Sequence, residues 1–151
     1  MIKYWGTTLY KERLVPGTSF YLATLFVPTA LFLIVLAFDD LWALVTFTAS
    51  EVVIIALSIA LAPSIEVSTT SLKVGRAIVP SVFVGNISVI PKSEVFAERG
   101  PNLDIRSYAL FQIGVRELVK LDIIDPKDST PYWLFSTRNP DKLLNALTKM
   151  S

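Results

Sequence analysis

A membrane helical hairpin followed by a small, mainly-β domain closed by a C-terminal helix is the architecture this sequence predicts. Three observations carry it. Two apolar stretches lie back to back, divided only by Asp39-Asp40. From Pro63 onward the hydrophobic period drops to two. The chain closes on an amphipathic run opened by Asn139-Pro140.

The first stretch, Pro16 to Phe38, carries no charge, and the second, Leu41 to Ala62, carries only Glu51. Each is long enough to cross a ~30 Å hydrocarbon core, which takes roughly 20 helical residues. A cleaved signal peptide is the first alternative. Its apolar region would be ~7–15 residues long and would end in a small-residue cleavage site. The run here is longer and ends in two aspartates, so it is read as a retained span. Lys3, Lys11 and Arg13 precede the pair, Lys73 and Arg76 follow it, and the turn holds no cation. That bias places both termini in the cytoplasm, with the hairpin in the plasma membrane. Tyr4, Trp5 and Tyr10 suit the inner headgroup zone as anchors, and Trp42 the outer one. The expected organisation is an interfacial segment over 1–14, a transmembrane hairpin over 15–62 and a cytoplasmic domain over 63–151.

Pro28 lies midway along the first span, where it removes a backbone donor and frees the carbonyl of Thr24. Such a gap in lipid must be filled by a neighbour. Folding the hairpin at Asp39-Asp40 brings Glu51 to about the depth of Pro28, near Thr24, Thr29 and Thr48, with Ser58 further along. A charged carboxyl there costs ~2.5–3.5 kcal/mol. Carrying its proton, Glu51 could instead donate to the carbonyl freed by Pro28 and act as polar glue. The functional alternatives are a proton relay, which needs more than two helices, or a contact with another membrane subunit.

Strands are expected where β-branched and aromatic residues alternate between turn signals. They are Ile65 to Ser68, Leu72 to Val74, Ala77 to Val79 after a turn at Gly75-Arg76, Val82 to Ile90, Ser107 to Gln112, Leu118 to Ile124 and Tyr132 to Thr137. In the fourth, Phe83, Ile87 and Val89 share a face. In the sixth, Val119, Leu121 and Ile123 point inward. A short helix over Ser93 to Gly100, capped by Ser93, interrupts the series. In the last helix Asn139 caps, Pro140 takes the first position and Asp141 complements the dipole. Leu143, Leu144, Leu147 and Met150 form its apolar face. About seven strands and one amphipathic helix make the plan of a pleckstrin-homology-like barrel. The alternative is a smaller curved sheet with one helix packed on it.

The chain resembles a family of small actinobacterial membrane proteins of unknown function. Their plan is a pair of spans followed by a bacterial pleckstrin-homology-like domain. Two motifs carry the resemblance. One is Tyr10-Lys11-Glu12-Arg13-Leu14 with Pro16. The other is Thr130-Pro131-Tyr132-Trp133-Leu134, then Ser136-Thr137-Arg138-Asn139-Pro140, with Leu143 and Ala146-Leu147. The resemblance implies architecture and membrane location, and no catalytic or binding residues.

Within these motifs, Trp133 and Phe135 share one face of the last strand, opposite Tyr132 and Leu134. One set is expected to fill the core and the other to pack under the helix or against a partner. Arg138, where strand meets helix, either fixes that corner or grips a partner carboxylate or lipid phosphate. Arg13 is a candidate for lipid phosphates, and Glu12 for a contact with the β domain. The bland alternative is an interfacial Glu12–Arg13 pair worth ~0–1 kcal/mol.

Absences narrow the chemistry. The 151 residues include no cysteine and no histidine, and the net charge is +1. Disulfides, thiolate metal sites and imidazole catalysis are excluded. No basic stretch points to nucleic acid. No Gly-rich phosphate loop or metal pattern is present, and Asp122, Asp125 and Asp128 lack the order of a calcium loop. No cofactor is expected. The function expected is a non-enzymatic interaction module or accessory subunit of a membrane complex, by a protein partner or self-association. The alternative is recognition of an anionic headgroup or membrane surface through Lys73 and Arg76.

Overall fold

The computed structural model describes residues 6–150. Lys3, Tyr4 and Trp5, assigned to the inner membrane surface from the sequence, lie outside the described residues. The chain forms two compact units, one of residues 15–62 and one of residues 1–14 with 63–151.

The first unit is a helical hairpin: α1 (Thr18–Thr24), α2 (Phe26–Leu36) and α3 (Asp40–Ala60). Pro28 explains the break at Leu25, because it cannot donate to the carbonyl of Thr24. The amides of Leu25 and Thr29 still bond to the carbonyls of Tyr21 and Leu25. The chain therefore bends without unravelling. Asp39 starts α3 by accepting the amide of Trp42 at 2.9 Å, an N-cap that fixes the turn. Pro28 and Ala43 are the buried residues of α2 and α3, and the rings of Phe32 and Phe47 meet edge to face at 6.1 Å. Thr18–Leu36 and Asp40–Ala60 are each long and apolar enough to cross a membrane, and only 6% of each is buried.

The second unit holds eight strands and two helices among the described residues. Strands β1 (Thr8–Arg13), β2 (Ser64–Ser68), β3 (Ser71–Val74) and β4 (Ala77–Pro80) form one antiparallel sheet in chain order. After a 3-10 turn at Ser81–Phe83 come β5 (Val84–Ile90), α4 (Val95–Arg99), β6 (Tyr108–Leu110), β7 (Leu118–Ile123), β8 (Tyr132–Ser136) and α5 (Pro140–Leu147). The second sheet has the order β5-β7-β8-β6, with β6 parallel to β8. The strands bond as two separate four-stranded sheets and do not close into a barrel. The seven expected strand regions are strands here, and β1 is an eighth, supplied from ahead of the hairpin. It pairs with β2 from Thr8↔Ser68 to Arg13↔Ser64, so residues assigned to an interfacial segment complete a sheet.

Both sheets face one core. Ile65, Val67, Leu72, Val74 and Val79 from the first meet Val119, Leu121, Trp133 and Phe135 from the second. Leu143, Ala146 and Leu147 of α5 join them. The helix therefore covers the Trp133–Phe135 side. Tyr132 and Leu134 pack with Ile90, Leu118, Val95 and Leu103 on the other face, beneath the 91–107 excursion rather than under α5. Strand β8 is buried on both faces for the same reason. Several local expectations shift. Val82 and Phe83 belong to the 3-10 turn, and Val89 is exposed on β5, the edge strand of its sheet. Glu94, not Ser93, precedes α4, and the Asn139 side chain makes no capping bond. At that corner the amide of Asn139 bonds to Thr137 Oγ1 at 3.2 Å instead.

Candidate functional site

Within the hairpin, the polar link between helices is Tyr21 to Ser58, oxygen to oxygen at 3.0 Å. Glu51 stands elsewhere. It lines a shallow apolar recess with Thr18, Tyr21, Leu22 and Leu25. Its Oε2 is buried and has no hydrogen-bond partner among the described residues. The expected bond from Glu51 to the Thr24 carbonyl is not formed. The Thr24 hydroxyl donates to the Tyr21 carbonyl at 2.9 Å, as a threonine on a helix commonly does. Thr48 likewise donates to its own helix, to Leu44. The Thr24 and Thr48 hydroxyls are thus satisfied within their own helices, and one carboxyl oxygen is left without a donor among the described residues.

In the β unit, the two sequence motifs meet at one buried carboxylate. Along β1, Tyr10, Glu12 and Leu14 face inward at period two, with Leu14 fully buried and Glu12 8% exposed. Glu12 Oε2 accepts from Thr137 Oγ1 at 2.7 Å and from Tyr10 Oη at 2.8 Å. Glu12 Oε1 accepts from the backbone amide of Arg138 at 2.8 Å. Charge-assisted bonds of this length are the strong kind. Burial pushes the Tyr10 phenol up to about 12, and the adjoining Glu12 carboxylate adds to the shift. Tyr10 therefore remains a donor to Glu12 and is not a headgroup anchor. The carboxylate ties β1 to the point where β8 ends and α5 begins.

The residues held by that tie form one wall of a cleft of about 570 Å³. Lys92, Arg99, Arg116 and Arg138 line it, with Glu117 as the carboxylate among them. Arg99 is braced in place. One Nη donates to the Val115 carbonyl at 2.9 Å and to Ser136 Oγ at 3.3 Å. Its guanidinium lies 5.1 Å from the Phe111 ring centre. Its Nε is buried with no acceptor among the described residues. Burial lowers its pKa, with no carboxylate acting against that shift. Lys92 and Glu117 are 3.9 Å apart on the surface, a pair of little energetic weight.

The cations singled out from the sequence are dispersed by the fold. Arg13 ends β1 opposite Ser64. Lys73 sits on β3 opposite Glu66 and Ile78, and Arg76 is exposed at the β3–β4 turn. Glu66 also holds Lys11 at 2.9 Å, which keeps its carboxyl below the ordinary range. Glu12 and Arg13 point to opposite sides of β1, Glu12 buried and Arg13 exposed, because successive residues of a strand face opposite ways. Arg138 does stand at the strand–helix corner as expected. Lys92, Arg99 and Arg116 escaped notice because they come from three separate loops and helices, with no spacing to mark them. Glu12 does contact the β domain as expected, through Thr137 and Arg138; its burial follows from its place between Tyr10 and Leu14 on the inward face once residues 8–13 are read as a strand.

A family described as "Protein of unknown function (DUF3093)" matches residues 9–147. No curated protein and no solved structure matches the chain.

Proposed function

Because the chain belongs to the DUF3093 family of proteins of unknown function, we propose that it is a non-enzymatic integral membrane protein acting as an interaction module or accessory subunit. In this reading its β domain is pleckstrin-homology-like, with two sheets about one core and a final amphipathic helix. The two motifs support the resemblance to small actinobacterial two-span proteins. The hairpin lies in the plasma membrane with both termini cytoplasmic.

One observation carries the interaction reading: the buried, unpartnered Oε2 of Glu51. An unsatisfied polar group in hydrocarbon costs several kcal/mol. Intramembrane carboxyls therefore face partners or cavities. The hairpin offers Glu51 no donor, so a second copy or another membrane protein supplies it. The membrane topology has its own support. The Leu14 amide bonds to the Pro63 carbonyl at 2.8 Å, so the two ends of the hairpin meet at one strand pair. If both helices cross, both ends lie on the same side, and Lys11, Arg13, Lys73 and Arg76 select the inner one.

The test is purification of tagged protein from its native membrane in mild detergent, alongside Glu51→Leu and Glu51→Gln. The expected result is a stoichiometric partner or a defined oligomer with the wild type, retained by the glutamine and lost with the leucine. A leucine variant with the same mass and the same company would overturn the reading.

A further inference from the structure

We propose that the cleft beside the β8–α5 corner is a binding site for a phosphomonoester, gripped by Lys92, Arg99, Arg116 and Arg138. This site is distinct from the hairpin carboxyl and from the Lys73–Arg76 turn. Four cations surround one carboxylate there, in a chain whose net charge is only +1. So local an excess is not a consequence of composition.

The walls suit an anion in three ways. First, Arg99 is already ordered. Its bonds to Val115 and Ser136 and its place by Phe111 fix the guanidinium before any ligand arrives. The ordering that weakens most surface-arginine sites is thereby largely settled in advance. Second, the Arg138 backbone is fixed by Glu12, so the corner that carries this cation into the cleft is set. Third, Arg116 is exposed and makes no ion pair among the described residues, while Glu117 engages only Lys92, at 3.9 Å. A dianion can displace that weak pair and collect both cations.

A phosphomonoester fits better than a carboxylate. It brings close to two charges and three strong acceptor oxygens, enough to engage several of these donors at once. Guanidinium forks match phosphate oxygens two by two. The volume is within the ~300–1,000 Å³ usual for small-ligand sites and exceeds a bare phosphate. Val95 and Val115 give part of the wall an apolar surface. The ligand is therefore an organic phosphate with a small body, either a soluble metabolite or the headgroup of a lipid such as phosphatidic acid.

The experiment uses the full chain in nanodiscs. In discs of phosphatidylcholine alone, glycerol 3-phosphate is titrated and its phosphorus NMR linewidth followed. In a second set, discs contain about one-fifth phosphatidic acid, and the phosphorus signal of that lipid is followed. Wild type is compared with Lys92→Glu/Arg116→Glu, Arg99→Met and Lys73→Glu/Arg76→Glu, each checked for an unchanged melting temperature. Lys92→Glu/Arg116→Glu changes exposed side chains and is expected to stay folded even if Arg99→Met does not. Binding weakened tenfold or more by the cleft double variant, and unchanged by the Lys73/Arg76 variant, supports the site. A response with glycerol 3-phosphate identifies a soluble ligand as sufficient, and a response confined to phosphatidic acid identifies the lipid. No response to either probe, or equal binding by the wild type and the cleft variant, overturns the proposal.

Discussion

Replacing Glu12 by alanine removes the acceptor on which both sequence motifs converge. The magnitude follows from what each donor can do next. Tyr10 is half-buried and turns its hydroxyl to water. Thr137 is fully buried, and the Arg138 amide is held at a fixed corner by the start of α5. Hydrogen bonds to an ionised group contribute roughly 1.5–3 kcal/mol each, and a stranded buried donor costs a similar amount. Two such bonds, partly replaced by water entering the gap, put the loss at about 3 kcal/mol. For a domain of this size that corresponds to a fall of about 12–24 °C in melting temperature. The assay is thermal unfolding of the full chain in mild detergent by near-ultraviolet circular dichroism, to which buried Trp133 contributes. A Glu12→Ala, Thr137→Val cycle isolates the pair, with an expected coupling of about 1–2 kcal/mol, within the usual range for direct contacts. A loss below about 1 kcal/mol, or strict additivity, would refute the corner as a structural tie.

Three further outcomes are expected. Tyr10 should titrate near 12, read as the phenolate absorbance difference between wild type and Tyr10→Phe. Its folded pKa is raised, so its contribution to stability is intact below pH 10 and fades as pH climbs from about 10 to 12; a midpoint near 10 would contradict the burial beside Glu12. Gly75 has φ +60°, and a Cβ there would sit 2.9 Å from Leu110 Cδ1 and 3.0 Å from Tyr108 Oη. Gly75→Ala should therefore cost about 1–2 kcal/mol from the backbone alone, measured by chemical unfolding, and a neutral result would remove the turn from the account. Ala43 is fully buried in the hairpin, so Ala43→Leu should push the helices apart and lower the disulfide yield between cysteines placed at Phe32 and Phe47; an unchanged yield would show that the helices do not pack there.

The hairpin was legible because a span is a matter of length and polarity, and both are local. The β2–β3–β4 meander was legible for a similar reason: short turns, such as the one at Gly75-Arg76, join strands that pair in sequence. β1 was not, because its partner lies across the whole hairpin and its Lys11-Glu12-Arg13 run reads as interfacial charge. The face buried by Tyr132 and Leu134 depends on the 91–107 excursion folding back, which no local period encodes. Arg138 was found because it sits in a motif. Lys92, Arg99 and Arg116 were not, because only the tertiary fold gathers them. Glu51 stood out as the lone carboxyl in an apolar run, but its neighbours Thr18, Tyr21, Leu22 and Leu25 follow from how α1 packs ahead of the break at Leu25.

A hairpin of two helices apolar enough to cross a membrane is inserted between β1 and the rest of one unit. Since the chain has no cysteine, single cysteines can be placed at Thr7, Asp40 and Asn145 and labelled with an impermeant maleimide in right-side-out and inverted membrane vesicles. With the hairpin across the membrane and both of its ends in the cytoplasm, Thr7→Cys and Asn145→Cys label only in inverted vesicles and Asp40→Cys only in right-side-out ones. Labelling of Thr7→Cys and Asn145→Cys from opposite sides, or of all three from one side, would contradict it.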